Sequence, residues 1–571
     1  MQWTWKNFKS IKEAVNAKTG GLADSFLNAD TKEVAIQNAD VMAVWLQYYA
    51  QKNIPITIIG DYDADGVCAS AEMWMLLSAL GASKIRVRLP RRFSEGYGLS
   101  PKIVGEIEKG VIVTVDNGIA ALEAVSDAKA KGLVVLVIDH HLPKKENGKV
   151  VLPPADLIVD PHGEDALIAH GSEPRPGFRD YCGAGLVCKI AGMILGKDND
   201  TYHKITSLAA IATVADVVPL VGDNRNIYHA GIKAMECREM TEGLAAIVDT
   251  LRTDGIVSEG DIGFRIAPML NAPGRLKDDG AMEAFYAVMA ETQTQAAISA
   301  DELKTVNGQR KLLRDEAVSR AVEKIESGKL YSRNPIVIYD PEVSDGIVGL
   351  VAGEIQEKYG ASVFVFTKNG DNLKGSARGK SGDDVKASLD AFADKFPDIL
   401  IAYGGHEGAA GVTMRKDGLD VFQKEMDKIM PDAEGIPDHI DYDLEIRPEE
   451  IFQMTEELRK YAPFGQGNPD LVFRIDHFQL IPKGNAFYSV MGKDSVRFYG
   501  VDTEVIGFSM LDRYLAYGCP KEIDLVGKLS FHHFMGRKTA QVEMLDFLPS
   551  RQSAVKSLSI NQSIANALSM I

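Results

Sequence analysis

Over residues 54–70 the chain reads IPITIIGDYDADGVCAS, placing carboxylates at Asp61, Asp63 and Asp65 just after a β-branched run that stops at Gly60. Three acids so close together repel one another strongly in any medium drier than water, so the arrangement makes sense when cations sit among them. Hard oxygen ligands suit Mg²⁺ or Mn²⁺. The structural alternative is a solvated turn capping the helix that follows Gly66, since Asp-Gly pairs are common in loops. Three further segment ends carry the same chemistry. The run 111–115 ends at Asp116 in VTVDNG, the run 133–138 ends in Asp139, His140 and His141, and LAAIATVADVVPL places Asp216 after an apolar stretch. Each alone reads equally well as a turn, a strand terminus or a cap; their joint appearance at successive segment ends argues for a metal centre. Imidazole with carboxylate suits Mn²⁺, and two adjacent cations need a shared carboxylate. Such a pair, about 3.5–4 Å apart, lowers the pKa of a bridging water and neutralises an attacked phosphate and its leaving oxygen. No Ser-His-Asp or Cys-His arrangement is evident.

The elements that must position these residues follow from the apolar pattern. Runs at 54–59, 111–115, 133–138 and 157–159 are rich in Val and Ile and alternate with helical stretches. They predict strands buried on both faces of a parallel sheet, hence an α/β fold. Right-handed crossovers align the carboxyl ends of such strands along one edge, where ligands bind. Residues 180–290 are mainly helical in pattern, and 292–327 predict a long helix linking two lobes. A second, smaller α/β unit has strand candidates at 336–339, 362–366 and 399–403 and glycine-rich loops GSARGKSG and GGHEGAAG. From about residue 437, short alternating strands such as DLVFRIDHFQL and KTAQVEMLDFL predict a small all-β barrel or sandwich of five or so strands. The expected division is 1–290 for the sheet domain with its N-terminal helical region, 291–330 for the connecting helix, 331–435 for the second α/β domain, 436–549 for the β domain, and 550–571 as a loosely attached tail.

The chain has 571 residues, enough for about three or four domains. No apolar run of about 18 residues predicts a membrane span, and the N-terminus MQWTWKNFKSIKEAV lacks the apolar core of an export signal. Five cysteines, Cys68, Cys182, Cys188, Cys237 and Cys519, show no CxxC spacing, so reduced thiols and a cytoplasmic location are expected. The formal net charge of −17 opposes nucleic acid at long range. Binding depends on where basic groups sit, and Arg86, Arg88, Arg91 and Arg92 are crowded into KIRVRLPRRF.

DYDADG, VDNG, DHH and ADVVPL, in this order and spacing, resemble the four motifs of the DHH phosphoesterase superfamily, and GGHEGAAG resembles the glycine-rich motif of its companion DHHA1 domain. RRFSEGYGLS, YCGAG, ADVVPL followed by DNRN, FRIAPMLNAPGRL, GIVGLVAGEI and YAPFGQGNPDLVF are similar to stretches of the RecJ family of single-strand-specific exonucleases, over about residues 54–475. The resemblance implies Asp63, Asp65, Asp116, His140 and Asp216 as ligands of two Mn²⁺ or Mg²⁺ ions, with Asp65 and Asp116 shared. It implies a catalytic part for Asp61, a supporting or phosphate-touching part for His141, and an orienting part for Asp139 on a ligand histidine. Arg275, Arg378 and His406, with Gly404 and Gly405, would hold substrate phosphate. The β domain would be an OB-like barrel tracking single strands, with Phe487, Tyr488, Tyr499, Phe508, Phe531 and Phe534 as stacking candidates; aromatics in small barrels are more often core.

The activity so implied is 5′-to-3′ hydrolysis of single-stranded DNA to 5′-mononucleotides in repair and recombination, by a monomer cooperating with a single-strand-binding protein and a RecQ-type helicase, away from membranes. The polarity rests on the resemblance alone. A phosphodiesterase for short oligonucleotides or cyclic dinucleotides would use the same metals without needing the β domain. A non-cutting single-strand-binding scaffold would be expected to have lost ligands. Some RecJ proteins carry a further C-terminal domain, and none is expected here after about residue 550.

Overall fold

The computed structural model describes residues 2–28, 34–146, 148–163, 177–253, 256–430, 439–534 and 536–550. The expected parallel sheet is present, its four expected strands joined by an unexpected fifth, Ile85–Arg88, in the order Ile85–Arg88, Ile56–Ile59, Val111–Val115, Val134–Ile138, Leu157–Val159. Ile56–Ile59 and Val111–Val115 are buried along their whole length, which is why both read as unbroken apolar runs. Helix Ala64–Ala79 lies among Gly183–Leu195 and Asp200–Ala215 on one face, while Pro101–Gly105 and Leu122–Ala130 cover the other. The chain runs from Ile56–Ile59 outward to Ile85–Arg88, then returns to the opposite side at Val111–Val115. The topological switch point therefore falls between the two strands that deliver Asp61 and Asp116.

Helix Gln293–Ser327 has 35 residues and spans about 52 Å. Its first half buries Ala300 and Leu303 in the core of the sheet domain, and its second half buries Ala317, Ala321 and Ile325 in the second lobe. That lobe is a five-stranded sheet in the order Leu400–His406, Ala409–Arg415, Asn372–Arg378, Val363–Asn369, Ile336–Tyr339, parallel only in the last pair.

The C-terminal β unit is a seven-stranded sheet running from Leu444–Ile446 through Phe473–Gln479, Glu522–Phe534, Arg537–Pro549, Thr503–Gly507 and Ser495–Gly500 to Tyr488–Met491. Among the described residues its two outer strands do not pair with each other, so the barrel expected from the sequence is an open, curled sheet. Alternating polarity marks half-buried strands, but closure depends on tilt and shear, which a single strand's pattern does not carry.

The N-terminal segment also departs from expectation. Gln2–Trp5 is a strand that pairs in parallel with His439–Tyr442, and Ile11, Ala14, Val15 and Phe26 join Phe473 and Ile475 in the core of the C-terminal unit. Its apolar side chains thus lie in the core of the β unit. The tail expected over 550–571 lies, beyond Ser550, outside the described residues. No helix among those described is long and apolar enough to cross a membrane.

Arg225, buried at the junction, ties these parts together. Its guanidinium donates to Tyr461 O at 3.1 Å and Phe26 O at 3.3 Å and stacks on the Phe26 ring at 4.4 Å. Arg225→Ala removes the donor to Phe26 O and one of the two donors to Tyr461 O at a buried interface. The expected loss is about 1–3 kcal/mol of unfolding free energy in urea titrations, with faster proteolysis of the first 27 residues; unchanged values for both would show that the segment is held by its apolar contacts alone.

Candidate metal centre

Asp61 follows strand Ile56–Ile59, and Asp63 caps helix Ala64–Ala79 through Oδ1, which accepts from the Asp65 and Gly66 amides at 3.1 Å each. The turn is so tight that a Cβ at Gly66 would lie 2.5 Å from the Asp61 nitrogen. Asp65 points from the first turn of this helix at the N-terminus of Gly183–Leu195, where the Gly183 and Ala184 amides donate to Oδ2 at 2.7 Å and Oδ1 at 2.8 Å. That contact explains the YCGAG stretch: a helix N-terminus favours a carboxylate, and only glycine at 183 leaves room for Asp116 beside it. Asp116 itself is left-handed, with φ 62°.

The sequence Asp139-His140-His141 divides its work. Asp139 Oδ2 accepts from the Ile119 amide at 2.8 Å, while Oδ1 accepts from the His140 and His141 amides and lies 2.8 Å from His141 Nδ1. The histidine that Asp139 orients is therefore His141. His140 Nε2 points instead into the acids, 3.1 Å from Asp116 Oδ1, 3.7 Å from Asp216 Oδ2 and 3.8 Å from Asp65 Oδ2. Asp216 arrives from the C-terminal end of helix Asp200–Ala215.

Three sets of ligand atoms each fall within 4.8 Å of one another: Asp61, Asp63 and Asp116; Asp65, His140 and Asp216; and Asp116, His140 and His141. Asp116 belongs to two sets and is placed to bridge, whereas Asp65 belongs to one. Burial, reinforced by neighbouring carboxylates, pushes Asp61 and Asp116 well above the ordinary carboxylate range, raises Asp63 and lifts Asp216 to about 9. Asp61 Oδ1 and His140 Nε2 are buried without a hydrogen-bond partner. Crowded carboxylates and an unpartnered imidazole nitrogen aimed into them fit divalent cations. His141 behaves differently. Its burial opposes charge, but the Asp139 hydrogen bond and the surrounding acids outweigh that and raise it to about 9.

Several supporting residues had no individual signal in the sequence. Tyr97 Oη donates to Asp116 O at 3.0 Å and sits 3.1 Å from the His141 ring nitrogens. Asn117 Nδ2 donates to Ile59 O and Val115 O, tying the two ligand-bearing strands together, and Asn271 Oδ1 accepts from the Ala64 amide. RRFSEGYGLS and FRIAPMLNAPGRL contain two of these three only as matched stretches.

Arg275 is half-buried beside Arg92, Arg310 and Asp63 and donates to Gly346 O of the second lobe at 3.2 Å. Burial, with those neighbouring guanidiniums, lowers it to about 10. Arg378 lies against Gly349 at the start of helix Val348–Tyr359. Arg378 and His406 both pair with Ala409, from either side, so they share one face of the lobe about 10 Å apart. Gly404, opposite Gly411, is exposed on the same alternation. Gly405 occupies the other phase, and a Cβ there would meet Ala409 O at 2.2 Å, so it serves strand pairing. Among the described residues no hydrogen bond or ion pair joins Arg378 or His406 to the carboxylates.

A cavity of about 600 Å³ separates the sheet domain from the β unit next to Asp216, with Val217 and Phe264 on one wall and Phe464, Lys528 and Phe531 on the other. Of the aromatic candidates, Phe508 is exposed, Phe531 lines the cavity under Lys538, and Tyr488 packs on the core against Tyr514. Lysines cover Phe487 and Tyr499, and the Phe534 side chain lies outside those described.

A switch-point edge crowded with acids, joined by one helix to a smaller mixed-sheet lobe, defines a DHH–DHHA1 protein. Residues 55–214 match the DHH family, N-terminal domain, and 332–432 the DHHA1 domain, while 442–546 match the RecJ OB domain. The single-stranded-DNA-specific exonuclease RecJ of Haemophilus influenzae is 30% identical over 511 residues, covering 86% of this chain and 87% of its own length. That of Escherichia coli is 29% identical over 526 residues, covering 88% of each. The chain belongs to the RecJ family. A crystal structure of RecJ in complex with Mn²⁺ from Thermus thermophilus shares the fold with a TM-score of 0.74 at 24% identity, over 94% of this chain and 75% of that one.

Two outcomes follow for the metal-free protein. Because burial lifts Asp216 to about 9 when no cation offsets its charge, Mn²⁺ binding should release protons and tighten as pH rises; calorimetry in buffers of different ionisation heat reads the number, and zero release would contradict the raised carboxylate. His141 should titrate near 9 by NMR and fall toward the ordinary imidazole value in Asp139→Asn.

Proposed function

We propose that the protein is a metal-dependent exonuclease that degrades single-stranded DNA from its 5′ end and releases 5′-mononucleotides. The convergence of Asp61, Asp63, Asp65, Asp116, Asp216 and His140 on one buried edge carries this proposal. Asp63, Asp65, Asp116, His140 and Asp216 would hold two Mn²⁺ or Mg²⁺ ions, Asp116 being the carboxylate common to two of the ligand groups. When bound, such ions activate a water for in-line attack and offset the charge of the phosphate and its leaving oxygen.

The chain's own groups do the rest. The Gly183 and Ala184 amides hold Asp65 in place. Asp139 keeps His141 charged and oriented, so that its imidazolium donates to a phosphate oxygen, and Tyr97 Oη sits against both ring nitrogens. Arg275, Arg378 and His406 grip neighbouring phosphates, and exposed Gly404 lets the backbone approach closely. A phosphate held between two lobes belongs to a narrow strand, which favours single-stranded substrate. The cavity beside Asp216 and the β unit supply a path for the strand behind the cut. Monomeric action, a cytoplasmic setting, and cooperation with a single-strand-binding protein and a RecQ-type helicase rest on the family resemblance.

Long single strands labelled at either end, duplexes and dinucleotides, each with Mn²⁺ or chelator, test the proposal. The 5′ label should leave first, as mononucleotide, from single strands only and only with metal. Cleavage of dinucleotides alone would identify a small-substrate phosphodiesterase, and binding without cleavage a scaffold. His140→Ala should lower cleavage by at least about 100-fold while strand binding in chelator stays within a few-fold; full activity would sink its assignment.

A further inference from the structure

Asp216 reaches the metal centre on a backbone that its own sequence does not favour. Helix Asp200–Ala215 ends at Asp216, and the next residue, Val217, is left-handed with φ 58° and 68% exposed. A β-branched residue rarely adopts that conformation, and neither burial nor a glycine explains it here. The explanation lies 250 positions further along the chain, in the β unit's loop 461–468. The Leu220 amide donates to Gln466 O at 2.7 Å. A Cβ at Gly467, φ 76°, would lie 3.1 Å from Pro219 Cβ and 3.2 Å from Val221 Cγ1, and one at Gly465 would lie 2.9 Å from Leu220 Cδ1.

The loop is itself rigidly braced. Asn468 Nδ2 donates to Tyr461 O at 2.9 Å and Pro463 O at 2.7 Å, and Gly465 and Asn468 exchange backbone hydrogen bonds. Its outer side is pinned to the sheet domain by the Phe464 amide on Glu259 Oε1 at 3.1 Å and by Arg225 on Tyr461 O. Asn224 Nδ2 holds Pro219 O from the opposite side at 3.0 Å. Residues 216–221 are thus fixed at both ends, by the helix and by the loop. Val217 is the position that absorbs the mismatch.

We propose that loop 461–468 is a strut that positions Asp216, so that the metal centre is completed across the domain boundary by a unit that contributes no ligand. The proposal rests on Asp216 being a ligand, as argued above. The strut touches no reacting atom; it acts through the Asp216 backbone. Seating a strand in the adjoining cavity, which Val217, Phe464 and Gln466 all line, would bear on the same turn.

Mn²⁺ titration of the full chain, counting ions and affinities, tests this without reference to cleavage. Gly467→Ala, which crowds Pro219 and Val221 and strains the left-handed backbone of the loop, should weaken one Mn²⁺ equivalent by tenfold or more and leave the other within a few-fold, with thermal unfolding in chelator confirming the fold. Asn468→Ala, which unbraces the loop, should act in the same direction and serves if Gly467→Ala does not fold. Val217→Asn, placed in Gly467→Ala, should restore the lost affinity, because asparagine adopts the left-handed turn without external force. Wild-type binding by both loop variants, or failure of Val217→Asn to rescue, would overturn the strut. Asp216→Asn separates the two ideas: if it also binds Mn²⁺ normally, the ligand assignment falls and the strut with it, whereas its loss beside normal loop variants sinks the strut alone.

Discussion

Mutual repulsion among buried carboxylates is the constraint on which the rest of this structure depends. Two unit charges 4 Å apart interact by about 4 kcal/mol at the effective dielectric of a protein margin, and Asp61, Asp63, Asp65, Asp116 and Asp216 crowd one edge. Such a cluster survives folding only if something outside it imposes the geometry. Covalent spacing imposes part: three of the acids share one strand-to-helix turn closed by Gly66. Strand pairing imposes Asp116, with Asn117 lacing the neighbouring strand ends. The Gly183 helix N-terminus offers Asp65 two amides, which stabilise its charge where water is excluded. What remains uncompensated is the opening for cations.

The histidines show how one dipeptide is split into opposite roles by its surroundings. Asp139, itself held low at about 2 despite its burial because His141 and the Ile119 amide stabilise its charge, keeps His141 protonated. His140 faces the acids without a hydrogen bond to its Nε2, and burial lowers its pKa. A neutral imidazole can offer a lone pair to a metal; a charged one can only donate.

The wider architecture surrounds this edge with separate bodies. The long helix carries the second lobe at a set distance, with Arg275 bridging by its bond to Gly346. The β unit is docked by Arg225, Glu259 and loop 461–468, and its core also enlists side chains from Phe8 to Phe26. The two ends of the described polypeptide therefore form one body against the middle.

By itself the sequence determined the α/β class, the positions of four of the five sheet strands, missing the half-exposed Ile85–Arg88, and the residue types at their ends. Strands buried on both faces must be continuously apolar, and acids that follow such runs must lie at the sheet edge. It also determined the long helix, whose apolar spacing persists from Ala296 to Ile325. Tertiary structure alone decided that the N-terminal strand belongs with His439–Tyr442, that the β unit stays open, that Asp139 serves His141, that Gly405 faces away from Gly404's side, and that Tyr97 braces the site. The strand pairing and the Tyr97 contact depend on partners tens to hundreds of residues away, and the Asp139 and Gly405 contacts on turn and strand geometry, none of which a local pattern encodes. Val217 is the sharpest case, because its left-handed turn runs against its own propensity and only the distant loop accounts for it.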